Sequence, residues 1–342
     1  MASNIVRRPT NTIKRAFLLT EHGTQQAGQV TLSLVVPVFN EEDSLDTFLR
    51  RINEVFQAQV SIDLELVFVN DGSTDATLER LLERQRHDAR LRIVDLSRNF
   101  GKESALSAGI AVATGEAVVP MDADLQDPPE LLAQLVDLWR QGFEVVVARR
   151  ADRSSDSWLK RVTAGAFYRA HNAMSEIRIP NNVGDFRLMD RAVVDVLNAL
   201  PESRRFMKGL FAWVGFRTAA VDYVRESRVA GSSSFNGWRL WNLAVEGITG
   251  FSITPLRIWS YMGLAVAGAS LGWGTWILVR TLIFGHDIPG YASLFVAVTF
   301  LGGLQLIGIG IVGEYVGRTY IESKRRPPFV VRRVYRRPAE RD

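Results

Sequence analysis

Val118-Val119-Pro120-Met121-Asp122-Ala123-Asp124-Leu125-Gln126-Asp127-Pro128-Pro129-Glu130 is the most informative run in this chain. Apolar residues give way to three acids and a Gln within six residues, and two prolines follow. Residues 118–121 read as a buried strand, with Asp122 and Asp124 at or just past its carboxyl end. Pro128 or Pro129 suits the first turn of a following helix, where a missing N–H costs nothing. Two carboxylates one residue apart, with an amide oxygen two residues on, match the oxygen ligands that Mg²⁺ or Mn²⁺ takes. The same run also reads as a solvated acidic turn with Asp127 as the helix cap. Taken alone, these residues leave both readings open.

Upstream, the pattern alternates. Residues 32–38 form an apolar, β-branched strand that runs into Phe39-Asn40-Glu41-Glu42-Asp43-Ser44 and a helix to about 56. A second strand, 64–69, ends in Asn70-Asp71-Gly72-Ser73-Thr74-Asp75, and a helix follows to about 86. A third, 91–96, closes with Ser97-Arg98-Asn99-Phe100-Gly101-Lys102 before a helix over about 103–113. Downstream of the acidic run, a helix over about 130–140 and a fifth strand, 143–148, complete the series. Alternating strands and helices at short connections predict an α/β domain, with a mostly parallel sheet covered on both faces. Such sheets bind ligands at the carboxyl ends of their strands. Asn40, Asp71, Lys102 and the acidic run all fall there, which favours the metal reading. Neither G-x-G-x-x-G nor G-x-x-x-x-G-K-[ST] is present, which disfavours a dinucleotide dehydrogenase and a P-loop ATPase. A diphosphate bound without a glycine-rich cradle needs a metal to neutralise it.

Residues 151–235 are less regular: a helix over 158–175, a turn and short strand over 183–191, and a helix over 192–200. A basic turn at Arg204-Arg205-Phe206-Met207-Lys208-Gly209, a strand over 219–224 and a loop to 235 follow. Residues 236–251 read as an amphipathic helix whose Trp238 and Trp241 suit a membrane interface. Two apolar stretches, 258–284 and 291–312, are each long enough to cross a hydrocarbon core of about 30 Å. The short link 285–290 makes them a hairpin. Arg239, Arg257, Arg318, Lys324, Arg325 and Arg326 flank its outer ends, so the positive-inside rule turns both ends, and the catalytic part with them, to the cytoplasm. Glycines in both stretches allow close helix packing.

Composition narrows the classes further. The formal charge is +4, concentrated in basic residues near the two ends. Without a basic face between them, an anionic membrane surface fits better than nucleic acid. There is no Cys, and the four His are scattered, so thiolate and imidazole metal sites are not expected. Residues 1–30 read as a loose arm without a secretory signal. The expected organisation is this arm, a catalytic domain over 31–235, an interface helix over 236–256, a transmembrane hairpin over 257–316 (spans 258–284 and 291–313) and a basic tail over 317–342.

The order Pro37-Val38-Phe39-Asn40-Glu41-Glu42, Asn70 to Asp75, Asn99-Phe100-Gly101-Lys102, Asp122 to Glu130 and Asp185-Phe186-Arg187-Leu188 resembles the family 2 inverting glycosyltransferases of GT-A (Rossmann-like) fold. Within them it is similar to the polyprenyl-phosphate glycosyltransferases, and the hairpin matches their bacterial undecaprenyl-phosphate subgroup. The likeness spans about residues 33–326. It implies transfer of a hexose, glucose by default, from a UDP-sugar to undecaprenyl phosphate at the plasma membrane. A UDP-N-acetylhexosamine or GDP-mannose donor, and a non-catalytic membrane scaffold, are the alternatives. A processive polysaccharide synthase is disfavoured, because no Gln-x-x-Arg-Trp motif is present. By the same likeness, Pro37, Asn40, Glu41, Asp71 and Lys102 hold the donor nucleotide. Asp122, Asp124 and Gln126 hold Mg²⁺ or Mn²⁺, with Asp122 also near the sugar. Arg149, Arg187 and Arg228 face the acceptor phosphate, so Asp122, Asp124 and Arg187 are the implied catalytic residues. Ser234 stands where many relatives carry a Lys in Gly231-Ser232-Ser233-Ser234-Phe235. The likeness also implies a homo-oligomer, a tetramer, with both termini cytoplasmic.

Overall fold

The computed structural model describes residues 30–57, 62–151, 183–203, 205–224, 249–250, 252–285 and 290–336. The N-terminal arm, the helix expected over 158–175, the 225–235 loop with Arg228 and Ser234, and most of the interface helix lie outside the described residues. The chain divides into two compact units. Of the described residues, the first holds those from 30 to 224 and from 327 to 336, and the second holds those from 249 to 326.

The first unit is an α/β sheet domain. Its elements are β1 (Val30–Val38), α1 (Leu45–Gln57), β2 (Ile62–Asn70), α2 (Thr77–His87), β3 (Leu91–Leu96), α3 (Lys102–Val112), β4 (Ala117–Pro120) and α4 (Leu131–Arg140). Then come β5 (Val145–Arg150), β6 (Val183–Asp190), α5 (Arg191–Ala199), α6 (Met207–Trp213) and β7 (Thr218–Tyr223). The strand order is β7-β5-β6-β4-β1-β2-β3-β8, where β8 is Val331–Tyr335. Strands β4, β1, β2 and β3 are parallel, as the alternating pattern predicts.

Helices cover both faces of this parallel core. On α1, Leu45, Phe48, Leu49, Ile52 and Phe56 are buried at helical spacing, and the Phe48 ring meets Phe68 of β2 edge-on at 5.9 Å. On the opposite face, α3 approaches through Gly109, where any Cβ would strike the side chains of Val35 and Val69. Burial on both faces explains why β1 and β2 are continuous apolar runs.

Three elements differ from the sequence reading. Residues 183–190 form a full strand, antiparallel to both β4 and β5, although Gly184 and Asp185 are poor strand formers. Pairing on both edges and the buried side chains of Phe186 and Leu188 override local propensity. Residues read as a basic turn begin helix α6 at Met207, which buries Met207, Leu210 and Phe211; seven residues are too few for a visible period. The tail contributes β8, an edge strand antiparallel to β3. Its composition looks like a solvated basic segment, and charged side chains are what an exposed edge strand tolerates.

The second unit contains α7 (Thr254–Phe284) and α8 (Tyr291–Ser323), of 31 and 33 residues. At 1.5 Å per residue each is about 45–50 Å long, more than the apolar thickness of a bilayer. Their side chains are exposed along most of their length, and both helices are long and apolar enough to cross a membrane. Gly308 leaves the room that the Trp259 indole occupies, and Tyr315 donates to the Ser252 carbonyl at 2.7 Å. Helix α8 continues ten residues past the expected end at 313, supported in its last turns by the Glu314–Arg318 pair at 2.9 Å.

Candidate active site

The carboxyl ends of β1, β2 and β4 and the start of α3 build one polar rim. At the end of β1, Asn40 adopts φ +55°, a left-handed conformation that Asn tolerates. Its Oδ1 accepts from Thr74 N at 2.8 Å, and its own N–H donates to Ser73 Oγ at 3.0 Å. Glu41 N–H donates to Thr77 Oγ1 at 2.9 Å, and the Glu41 carboxylate accepts from Ser44 Oγ at 2.6 Å. The two loops after β1 and β2 are therefore cross-tied. Asp71, at the end of β2, is 3 % exposed. Its two oxygens accept from Phe100 N (2.7 Å) and Gly101 N (2.9 Å), tying this loop to the start of α3. Burial raises its carboxyl above the ordinary range, against the pull of those two N–H groups and Arg98.

Pro37, Lys102, Asp122, Asp127 and Asp185 line one cleft. Lys102 is at its centre: Nζ is 2.7 Å from Asp122 Oδ2 and 3.1 Å from Asp185 Oδ2. Burial works against both charges, but the pairing outweighs it. Asp122 and Asp185 hold the ammonium well above its usual range. Lys102, Lys208 and Arg187 hold Asp185 below the usual carboxylate range. Next to Lys102, burial and then Asp185 push Glu103 up to about 7, while its Oε2 accepts from Met207 N at 3.2 Å.

After β4 the chain turns through Leu125, whose φ of +55° is unusual for a non-glycine residue. That turn brings Gln126 N within 3.2 Å of Asp124 Oδ1. Gln126 Oε1 is buried with no hydrogen-bond partner. Among the described residues no three His, Asp or Glu side chains gather as a metal cage. The donors on this turn are two carboxylates and one orphaned amide oxygen. That set fits a divalent ion that draws the rest of its shell from water and substrate phosphate.

Asp127 does not cap α4, which begins after Glu130 with no side-chain cap. It accepts instead from the Tyr223 hydroxyl of β7. Burial, then Asp127, pushes that phenol up to about 12. On β6, Phe186 and Leu188 join the core while Asp185 and Arg187 share the other face. Arg187 is only 6 % exposed. Its guanidinium stacks on Phe211 of α6 at 4.1 Å, donates to the Gly184 carbonyl at 2.6 Å and leaves Nε buried without a partner. Burial lowers it to about 10. Arg149 of β5 forks onto Asp222 of β7 at 2.6 and 2.8 Å, with both side chains half exposed.

Asp185 and Glu103 complete this cluster without having been assigned roles from sequence. Asp185 lies 63 residues from Asp122 in the chain, and only the insertion of β6 beside β4 brings it to the cleft. Its place inside Asp185-Phe186-Arg187-Leu188 was the available signal. For Glu103, adjacency to Lys102 was the only one.

Residues 33–197 match Glycosyl transferase family 2, and residues 254–319 match the GtrB C-terminal hairpin. The chain is 51 % identical over 303 residues to the prophage bactoprenol glucosyl transferase homolog of Escherichia coli, covering 89 % of this chain and 99 % of that protein. The chain belongs to glycosyltransferase family 2. It is also 52 % identical over 301 residues to the bactoprenol glucosyl transferase of Shigella phage SfV, covering 88 % of this chain and 98 % of that one. A Bacillus subtilis glycosyltransferase described as uncharacterized is 42 % identical over 306 residues, covering 90 % and 94 %. This family 2 glycosyltransferase carries its five sequence motifs on the loops that rim the cleft and on β6, with the GT-A-like, mostly parallel sheet behind them.

Proposed function

We propose that this glycosyltransferase moves a glucosyl residue from UDP-glucose to undecaprenyl phosphate, with inversion, at the cytoplasmic face of the plasma membrane. The observation that carries the acceptor and the sugar is identity of about one half, over nearly the whole length, to proteins named bactoprenol glucosyl transferases. A lipid phosphate oxygen is anionic at neutral pH, so its attack on the anomeric carbon needs no strong general base. The burden falls on positioning and on stabilising the departing nucleoside diphosphate.

Asp122, Asp124 and Gln126 would hold Mg²⁺ or Mn²⁺; once bound, such an ion supplies Lewis-acid stabilisation of the leaving diphosphate. The orphaned Gln126 oxygen supports that assignment. Asn40, Glu41 and Asp71 shape the donor loops through the hydrogen bonds that cross-tie them. Pro37 and Lys102 line the cleft, which supports donor contact for both. Arg187, buried beside Asp185, orients that carboxylate by charge; reaching an acceptor phosphate requires its Phe211 stack to open. Arg149, Arg228 and Ser234 are assigned to the acceptor phosphate, and for Arg149 this means exchanging its Asp222 partner.

Chain connectivity supports the membrane topology. Strand β8 pairs with β3 of the same sheet that contains β7, which supports an even number of crossings between them. Two long apolar helices provide two. A tetramer belongs to the same proposal.

The test is acceptor-dependent release of the nucleoside diphosphate, UDP or GDP according to the donor, in a panel of UDP-glucose, UDP-N-acetylhexosamines and GDP-mannose with undecaprenyl phosphate and Mn²⁺ or Mg²⁺. UDP-glucose should be turned over, and Asp124→Asn should lower the rate by a hundredfold or more, on the order of a lost metal ligand with its charge. Release with another donor alone would replace glucose. Absence of acceptor-dependent release with every donor would favour a scaffold. A wild-type rate in Asp124→Asn would remove the metal assignment.

A further inference from the structure

The Lys102 ammonium contacts the carboxylate that the proposed metal set also uses. Its Nζ is 2.7 Å from Asp122 Oδ2, a charge-assisted hydrogen bond at full strength. Asp185, at 3.1 Å from the same nitrogen, anchors the ammonium from the other side. Lys102 opens α3 directly after Gly101, and its side chain is 48 % exposed although two carboxylates hold its ammonium. Asp124 and Gln126, by contrast, are set by the left-handed turn at Leu125, where Gln126 N donates to Asp124 Oδ1.

We propose that Lys102 is a competing cation: its ammonium and a divalent ion vie for the Asp122 carboxylate, so that Lys102 weakens metal binding until a diphosphate draws it away. A unit charge this close to a ligand oxygen cannot coexist with a divalent ion on that oxygen without strong repulsion. A donor diphosphate supplies two things at once, phosphate oxygens for the metal and an anionic partner for the displaced ammonium. Metal and nucleotide then bind with positive coupling, by linkage through one lysine. The inference rests on the metal reading given above, and it assigns Lys102 a role opposite in sign to a simple diphosphate cation: its removal strengthens metal binding.

The experiment is a Mn²⁺ titration of the full-length protein in detergent, read by the EPR signal of free Mn²⁺, with and without UDP. Without UDP, Lys102→Met should bind Mn²⁺ about tenfold or more tightly than wild type, the scale of one nearby charge in a partly solvated site. Lys102→Gln should do the same, and Lys102→Arg should stay near wild type. With UDP, wild type should gain more affinity for Mn²⁺ than Lys102→Met does. Equal or weaker Mn²⁺ binding by both neutral variants, with melting temperatures confirming that they fold, overturns the competition. Asp124→Asn separates the two ideas: if it alone abolishes Mn²⁺ binding while the Lys102 variants show no gain, the metal reading stands and the competition falls. Failure of every variant to bind Mn²⁺, with or without UDP, removes both.

Discussion

Lys102, Asp122 and Asp185 alternate in charge, and Glu103 sits at the edge of that series. Its carboxyl, pushed up to about 7 first by burial and then by Asp185, faces Lys102 from its own helix, Asp185 from β6 and Lys208 from α6. The folded-state value is raised, so the neutral acid is the form that folding favours. That contribution is complete below the unfolded value of about 4.3, declines as pH rises and is gone above about 7. Glu103→Gln keeps an oxygen for Met207 N and carries no charge. It should be more stable than wild type near pH 8 by on the order of 1–2 kcal/mol, with the gap narrowing towards pH 4. Thermal melting across that range checks it, and a gap that widens on acidification would contradict the sign.

The elements that shape the site are the loops leaving β1, β2 and β3, and their close approach depends on Gly72. Its φ is +69°, and a Cβ there would lie 2.6 Å from the backbone of Arg98 and Asn99. Backbone atoms on the neighbouring loop give way only by moving the loop. Gly72→Ala should therefore cost more than about 1 kcal/mol and raise the donor KM by loosening the Asp71 ties to Phe100 and Gly101. Donor titration in initial-rate assays tests this, and unchanged KM would mean that the loop is not donor-facing. At this scale the sequence was legible where elements are local. The parallel βα units followed from apolar runs, turn residues and helical periods. Strand β6 and helix α6 did not, because β6 is held by pairing with β4 and β5 rather than by its own residues, and α6 is held by burial of Met207, Leu210 and Phe211.

Across the whole molecule, the last strand ties the chain's end to its first unit. Strand β8 covers the edge of β3, Ser97 N donates to the Val330 carbonyl at 2.9 Å, Gln85 donates to the Tyr335 carbonyl at 2.9 Å, and Arg332 meets the buried Asp95 at 3.5 Å. Truncation after Arg326 removes these bonds and bares a sheet edge. With net contributions near 1 kcal/mol for each lost hydrogen bond, the melting temperature should fall by several degrees, and the truncated protein should aggregate more readily. An unchanged melting curve would mean that β8 adds nothing to the sheet. By itself, the sequence determined the α/β repeat, the acidic turn after the fourth strand, the two long apolar helices and the family. All of these are written in local patterns: alternation, period, charge and motif order. Only the tertiary structure decided that Asp185 joins Lys102 and Asp122, that Asp127 pairs with Tyr223, that Arg187 is buried, and that the basic tail closes the sheet. Each of those depends on which strands become neighbours, and strand order is fixed by burial and long-range pairing that no short stretch of residues encodes.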